Sequence, residues 1–183
     1  DFPAGLRAIM RLDPDVILVG EIRDVETAKT AVDAALTGQL VLASIHSNDA
    51  ASAFTRLIDI GIEPYLAATA VVGVAGQRLV RKVCPHCVTP TDLDAAEKSA
   101  YEAKGGQEVD GFVSGSGCNF CGFTGFLGRT GVFEVLAVTE DTRALVASGA
   151  SGQVIRRQAI NEGMNSLHSV GMITAEGGIT TVN

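Results

Sequence analysis

Four cysteines in this sequence have the spacing of metal ligands. They form two C-x-x-C pairs, Cys84 with Cys87 and Cys118 with Cys121, on either side of residues 88–117. Each pair on a tight turn can supply two corners of a tetrahedron, so four thiolates would complete a structural zinc site. Disulfides or another metal are the alternatives, and disulfides are less expected in a chain without a secretory signal. His86 is expected at the surface, because four sulfurs already fill the coordination sphere.

Glu21 begins a second group of candidate functional residues. It follows the apolar run Val16–Val19 and Gly20, and Pro14 disfavours helix just before that run. A continuous apolar run is expected of a parallel strand that is buried on both faces. Glu21 would then lie at the carboxyl edge of a central strand, where open α/β sheets bind ligands. A strand followed by a charged turn without chemistry is the alternative interpretation.

His46 directly follows the next predicted strand, Leu40–Ile45. The intervening segment has an N-cap residue, Asp24, and a glycine, Gly38, at the positions where a helix begins and ends. Strand, helix and strand form a right-handed parallel βαβ unit, so we expect His46 at the same sheet edge as Glu21. An imidazole beside an acid could sense a phosphate or exchange protons. Capping of the next helix is the alternative role for His46.

The chain is expected to form an α/β core followed by a small, mostly helical satellite. We expect three parts: residues 1–83 as the core, 84–121 as the zinc-binding element, and 122–183 as a hairpin and helices. Because residues between the cysteine pairs have little apolar surface, we expect the metal, not a hydrophobic core, to hold them. The other predicted elements are a short helix around Leu6–Met10, a helix over Ala50–Ile60, an apolar segment Tyr65–Gly76 packed in the core, a basic edge strand Gln77–Val83, a helix Asp92–Lys104, a loop Gly105–Gly117, a hairpin within Gly122–Leu136, helices capped by Thr139 and Ser151, a helix His168–Glu176 and an exposed tail Gly177–Asn183.

The composition excludes several classes of protein. With 14 basic and 21 acidic residues the net charge is −7, which disfavours a general nucleic-acid surface. A hydrophobic content of 46% excludes wholesale disorder, and the longest apolar run, Tyr65–Gly76, is too short to span a bilayer. The sequence begins Asp1-Phe2-Pro3, without an initiator methionine or a signal peptide. We therefore expect a fragment or a processed piece of a longer protein.

Taken in order, the motifs resemble those of the secretion ATPases of type II secretion and type IV pilus assembly, a family of hexameric motors. The resemblance covers essentially the whole chain. The motifs that carry it are Asp13-Pro14-Asp15, Val19-Gly20-Glu21-Ile22-Arg23-Asp24, Thr37-Gly38, Ile45-His46-Ser47-Asn48-Asp49-Ala50, Gln77-Arg78-Leu79, the two C-x-x-C pairs, Gly128-Arg129-Thr130-Gly131 before Glu134, and Gly178-Ile179-Thr180-Thr181.

The resemblance implies a partial RecA-like P-loop NTPase core and roles for individual residues. Val16–Glu21 would be the Walker B strand, and Gly20, at the position where the magnesium-binding aspartate is usual, is a candidate cofactor-binding residue. Glu21 would orient or deprotonate the water that attacks the γ-phosphate. His46 would sense the γ-phosphate and couple hydrolysis to domain motion, and Gln39 stands where many relatives have a second histidine.

The resemblance also makes several arginines candidates for contacts with phosphate or with a neighbouring subunit. Arg78, within the Gln77-Arg78-Leu79 motif, is a candidate for nucleotide binding. Surface ion pairing is the simpler expectation for each of them. We assign no arginine finger among these residues: Arg7, Arg11, Arg23, Arg78 and Arg129.

The sequence contains no GxxxxGK[ST] loop, which in the family lies upstream and holds the β- and γ-phosphates. ATP and Mg²⁺ are therefore expected in the full-length protein, and this chain alone is expected to be inactive.

The resemblance implies that the full-length protein is a cytoplasmic homohexamer. It would bind at the inner-membrane face through a platform protein and other secretion or pilus proteins, and it would make no direct contact with nucleic acid. A non-enzymatic zinc-ribbon module that binds a protein or nucleic acid is the alternative. A related ATPase of DNA uptake or conjugation is a third possibility.

Overall fold

The computed structural model describes Gly5, residues 8–102 and residues 111–182. Parts of the first predicted helix, of the helix ending at Lys104 and of the loop after it fall outside the described residues. The chain divides into two compact units: unit 1 contains residues up to Gly76 together with Val135–Met164, and unit 2 contains Gln77–Glu134 and the residues from Asn165 onward. This division differs from the three expected segments because residues of Val135–Met164, including Leu136 and Ile155, belong to the core of unit 1.

Unit 1 contains the predicted pair of parallel strands joined by a helix. Strands β1 (Val16–Val19) and β2 (Leu40–Ala43) pair in parallel from Val16 opposite Leu40 to Val19 opposite Ala43. Helix α1 (Val25–Leu36) connects them. It begins at the predicted N-cap Asp24, whose side chain accepts the Thr27 N–H at 2.8 Å. Strand β2 ends two residues earlier than predicted.

Only one face of β1 is buried. Ile17 and Val19 are 3% and 1% exposed, whereas Val16 and Leu18 are 53% and 76% exposed. The prediction of a strand buried on both faces is therefore wrong for the described part of the chain, because its elements pack against one face of the sheet. Val16 and Leu18 on the other face are apolar, so the sequence resembled that of a fully buried strand, but no described element packs against them.

Helices form the remainder of unit 1. Helix α2 (Ser52–Ile60) ends at Gly61, whose φ of 113° only glycine adopts readily. Helix α3 (Pro64–Ala70) covers only the first half of the apolar segment that was expected to pack in the core. Residues Thr139 and Ser151 precede two further helices as predicted, and the core of the unit surrounds Phe54, which is completely buried.

Two strands run from one unit into the other. Strands β3 (Gly73–Val83) and β6 (Phe126–Ala137) pair with each other, and the boundary between the units falls within both. The basic strand predicted over Gln77–Val83 is the second part of β3. The hairpin predicted within Gly122–Leu136 is wrong, because the chain from Phe126 onward forms one continuous strand that pairs with β3 instead of with itself.

A second pair of strands in unit 2 lies where a loop was expected. Strands β4 (Val88–Thr91) and β5 (Phe112–Gly115) are antiparallel, with Val88 opposite Gly115. The loop prediction is therefore wrong at residues 112–115. The backbones of Gly115 and Gly125 approach so closely that a Cβ atom on Gly115 would lie 2.0 Å from the Gly125 carbonyl oxygen. A glycine at position 115 is required by this approach.

An apolar cluster also holds the segment between the cysteine pairs. Tyr101, Phe112 and Met172 are buried together. They come from helix α4 (Ala95–Glu102), from β5 and from the carboxy-terminal helix, so the expectation that metal alone orders this segment is wrong. The tail is not simply exposed either, since Thr180 is buried and the Ile179 carbonyl accepts the Val83 N–H at 2.9 Å.

The remaining helices follow strand β6 in the order α5 (Glu140–Ala147), α6 (Gly152–Asn161) and α7 (Leu167–Glu176). Helices α5 and α6 belong to unit 1, and α7 belongs to unit 2. None of the helices in the described part of the chain has both the length and the hydrophobicity needed to cross a membrane.

Candidate functional site

Glu21 and His46 meet at the edge of the parallel strands of unit 1. The two residues follow the carboxyl ends of β1 and β2, and Nε2 of His46 lies 2.8 Å from Oε1 of Glu21. The Glu21 side chain is 20% exposed, whereas that of His46 is 87% exposed. The structure thus brings together the two side chains that the βαβ pattern placed at one edge.

Arg23 pairs with the other carboxylate oxygen of Glu21. Its Nε donates a hydrogen bond to Oε2 at 2.6 Å, and its terminal nitrogen also contacts Oε2. This hydrogen bond lowers the pKa of Glu21; partial burial opposes the shift, and the positive charges of Arg23 and His46 add to it. Glu21 is therefore a carboxylate at neutral pH. The sequence made Arg23 one of five candidates for contacts with phosphate or a neighbouring subunit, with surface ion pairing as the simpler expectation, and did not indicate Glu21 as its partner.

Oε1 of Glu21 retains capacity to accept a hydrogen bond. It is shielded from solvent and accepts no hydrogen bond from the described residues, although the His46 ring nitrogen lies close to it. The His46 contact is therefore an ion-pair distance without hydrogen-bond alignment. A carboxylate oxygen with free acceptor capacity can act as a general base once a water molecule or a substrate reaches it.

Gly20 has open space where its side chain would be. A Cβ atom there would meet no atom of the described residues within 4 Å, so their packing does not require glycine at this position. The Gly20 carbonyl accepts a hydrogen bond from Oγ of Ser44, a residue that sequence reasoning did not single out. The one feature of the sequence that could have indicated Ser44 is its hydroxyl group at the end of an apolar strand.

Arg78 is exposed on β3 in unit 2, whereas Glu21 and His46 belong to unit 1.

The four cysteines form a cluster in unit 2. The Sγ atoms of Cys84 and Cys118 are 3.9 Å apart, as are those of Cys87 and Cys121, and the Sγ atoms of Cys118 and Cys121 are 3.8 Å apart. All four sulfurs lie within 4.8 Å of one another. A tetrahedron with Zn–S bonds of about 2.3 Å has sulfurs about 3.8 Å apart, whereas a disulfide requires about 2.05 Å. The geometry of the sulfurs fits a tetrahedral metal ion and not disulfides.

Cys87 and Cys121 differ in acidity. Burial opposes ionisation of Cys121, but the N–H groups of Cys118 and Gly125 donate to its Sγ at 3.2 and 3.3 Å and lower its pKa to about 6. Burial raises the pKa of Cys87 to about 12. If all four cysteines were ionised, their negative charges would need a cation between them, and a metal ion bound there would deprotonate its thiol ligands.

His86 lies at the surface of this cluster, as predicted. Its ring stacks on that of Phe120 with a centroid separation of 4.2 Å. Phe120 is 70% exposed, so the stacked pair forms an outer layer on the two cysteine turns. The four cysteine sulfurs therefore form the candidate metal-binding group without a contribution from His86.

Comparison with known proteins gives a consistent match over the whole chain. A family model described as "Type II/IV secretion system protein" matches residues 1–183. The chain is 44% identical over 181 residues to the type II secretion system protein HxcR of Pseudomonas aeruginosa, covering 99% of this chain and 35% of the relative. It is 45% identical over 186 residues to the type IV pilus assembly ATPase PilB of Thermus thermophilus, covering 99% of this chain and 20% of PilB. It is 41% identical over 181 residues to the type II secretion system ATPase E of Vibrio cholerae, covering 99% and 36%.

Solved structures share the fold. The pilus retraction motor PilT with bound ADP matches with a TM-score of 0.67 and 24% identity, over 99% of this chain and 41% of that chain. The ATPase DotB of Legionella pneumophila matches with a TM-score of 0.66 and 19% identity, over 99% and 40%. These likenesses confirm an α/β fold of the kind found in these proteins. The chain spans between a fifth and about a third of the length of the three curated relatives described above.

Proposed function

Because the chain belongs to the type II/IV secretion system protein family, we propose that it is part of an ATPase that powers protein secretion or pilus assembly. The observation that carries the proposal is the convergence of Glu21 and His46 at the edge of two parallel strands. The relatives named as ATPases support it. A non-enzymatic zinc-ribbon module would leave this convergence without a role.

Glu21 acts in this proposal on the water molecule that attacks the γ-phosphate. Its carboxylate is ionised beside Arg23, and Oε1 has free acceptor capacity. Phosphoryl transfer depends mainly on positioning and on neutralisation of charge, so one oriented acceptor can contribute strongly to the rate. His46, which is exposed beside that carboxylate, would donate a hydrogen bond to the γ-phosphate and so sense its presence.

ATP and Mg²⁺ would be held largely by other parts of the full-length protein. Bound Mg²⁺ supplies neutralisation of phosphate charge. Gly20 offers no side-chain oxygen to such an ion, and its carbonyl already accepts the Ser44 hydroxyl. We therefore place the principal phosphate and metal ligands on a P-loop segment outside this sequence. Arg78 remains a candidate for nucleotide contact.

Cys84, Cys87, Cys118 and Cys121 hold one structural Zn²⁺ ion in this proposal. The sulfur distances support four-coordinate binding with no open position, which is the arrangement of structural zinc sites. Such an ion contributes folding energy to the polypeptide around it.

We further propose that the full-length protein is a cytoplasmic homohexamer. It would bind at the inner-membrane face through a platform protein and other secretion or pilus proteins, without direct contact to nucleic acid.

The isolated chain should hydrolyse ATP negligibly. It carries Glu21 and His46 but no GxxxxGK[ST] motif to hold the β- and γ-phosphates, and positioning of the phosphates supplies most of the catalysis. We expect turnover at least about 10³-fold below that of the full-length protein, since several phosphate contacts are missing together. Phosphate release by the two purified proteins in the same Mg²⁺–ATP buffer measures this difference. Robust magnesium-dependent turnover by the isolated chain would contradict the assignment.

Substitution of His46 by asparagine should slow the full-length enzyme at least about tenfold, because a hydrogen bond to a charged group is lost near the γ-phosphate. Nucleotide binding should change little, since the phosphates are held mainly elsewhere. The measurement is kcat for ATP beside a binding isotherm for a non-hydrolysable analogue. His168→Asn is the matched control, because His168 is exposed in unit 2. Equal rates for the two variants would remove His46 from the proposed mechanism.

A further inference from the structure

One hydroxyl group connects the two chain segments that carry Glu21 and His46. Ser44 directly follows β2 and precedes His46 by two residues. Its Oγ donates a hydrogen bond to the Gly20 carbonyl. Its own carbonyl accepts the N–H of Ile22 at 2.9 Å. The backbone on both sides of Glu21 is therefore bonded to a single residue of the neighbouring segment.

The two bonds differ in what they require of residue 44. Any residue can supply the carbonyl that accepts the Ile22 N–H. The bond to Gly20 requires a side-chain donor one atom beyond Cβ, which serine and threonine provide. The regular pairing of β1 with β2 ends at Val19 and Ala43. The side chain of Ser44 thus extends the connection just past the strands, to the position where Glu21 begins its turn.

We propose that Ser44 is a positioning residue for Glu21 and couples it to His46. This inference rests on the proposed ATPase function. Ser44 does not touch the reacting atoms; it fixes the Gly20 carbonyl and thereby the direction in which the Glu21 carboxylate leaves the backbone. Because Ser44 is two residues from His46, a displacement of the His46 segment is transmitted to the backbone on both sides of Glu21.

The experiment compares steady-state ATP hydrolysis by the full-length protein and its Ser44→Ala and Ser44→Thr variants. We expect Ser44→Ala to lower kcat about three- to tenfold with KM for ATP nearly unchanged, since one oriented hydrogen bond is lost. Ser44→Thr keeps the hydroxyl and should restore at least half of the rate. Ser148→Ala is the matched control, because it removes a hydroxyl-to-carbonyl bond of 2.8 Å at Leu145, elsewhere in unit 1.

The double variant Glu21→Gln/Ser44→Ala tests the route of the effect. If Ser44 acts through Glu21, the double variant should be no slower than Glu21→Gln alone, because the carboxylate that it positions is already gone. A merely structural role would lower the rate further in the double variant. Thermal midpoints of all variants are measured alongside, and the threonine variant decides the case if Ser44→Ala is less stable.

The outcomes separate the inference from the proposed function. A large loss in Glu21→Gln with an unchanged Ser44→Ala rate would overturn the role of Ser44 and leave the ATPase site intact. Unchanged rates in Glu21→Gln and in Ser44→Ala would overturn both the role of Ser44 and the proposed ATPase site. Equal losses in Ser44→Ala and Ser44→Thr, or an added loss in the double variant, would show that the hydroxyl does not act by positioning Glu21. The inference is supported if kcat falls in Ser44→Ala but not in Ser44→Thr, and if Ser44→Ala causes no further fall in the Glu21→Gln background.

Discussion

Glu21→Gln in the full-length protein is expected to lower kcat for ATP by about 10²- to 10⁴-fold, the range over which a positioned general base contributes to a rate. Glutamine has the size of glutamate but cannot take a proton from water. Its amide also cannot pair with Arg23 and His46 as a carboxylate does, so charge as well as basicity is lost at this edge of the sheet. Nucleotide affinity should be nearly unchanged, because the phosphate-holding groups are elsewhere.

Two measurements and one control decide the role of Glu21. Phosphate release gives turnover, and an analogue-binding isotherm shows whether nucleotide still binds. Glu140→Gln makes the same change at a glutamate of unit 1 whose side chain is 93% exposed and lies 3.8 Å from Arg143, so it should keep the parent rate. Unchanged turnover in Glu21→Gln would exclude Glu21 from the chemistry and leave the proposed function without its main observation.

The contact between Glu21 and His46 was predictable because its signals are local. An apolar run, a helix with caps at both ends and a second apolar run determine a parallel pair, and a parallel pair brings its following residues to one edge. The helix ends were predictable for the same reason. Asp24 and Thr139 each accept an N–H group three residues ahead, and Gly38 and Gly61 adopt positive φ angles.

Ser44 and Arg23 were not predictable as partners of this site. The type of a residue does not show where a serine hydroxyl points. It also does not show whether an exposed arginine pairs with a nearby carboxylate or stays in solvent. Both depend on the local turn that follows β1, which brings the Gly20 carbonyl to Ser44 and the guanidinium group of Arg23 to Glu21. The types of residue in the site were visible in the sequence, and their mutual orientation was not.

The errors in unit 2 have a different physical cause, since they concern pairing between distant segments. Residues 112–115 lie within Gly105–Gly117, a stretch that looks like a loop because it is rich in glycine and serine, yet they pair with residues 88–91. The buried cluster joins Tyr101 and Phe112, from a segment with little apolar surface of its own, to Met172 of the carboxy-terminal helix. Burial of such residues depends on which partner the chain brings to them, and periodicity within a segment does not contain that information.

Cys84→Ser is expected to remove the metal ion and to unfold the polypeptide around it selectively. The wild-type protein should contain about one zinc per chain, bound by four sulfurs, and the variant should contain almost none. Cys84 is completely buried, and its N–H donates to the Gly125 carbonyl at 2.9 Å. Loss of the metal would therefore leave three clustered thiols, of which Cys121 is buried, without a cation to hold them together.

Hydrogen exchange resolved along the chain measures where that loss is felt. We expect amides of β4 and β5 in unit 2 to lose protection by orders of magnitude, while those of β1 and α1 in unit 1 remain protected, because local stability follows local contacts. A chelator should reproduce the effect in the wild-type protein, and added zinc should reverse it there but not in Cys84→Ser. If the apolar cluster around Tyr101 survives without metal, the amides of α4 and α7 should keep partial protection, so an intermediate loss there would show that the cluster is stable by itself. A metal-free wild-type protein that is fully protected would refute the zinc site, and equal loss in both units would show that they unfold as one cooperative structure.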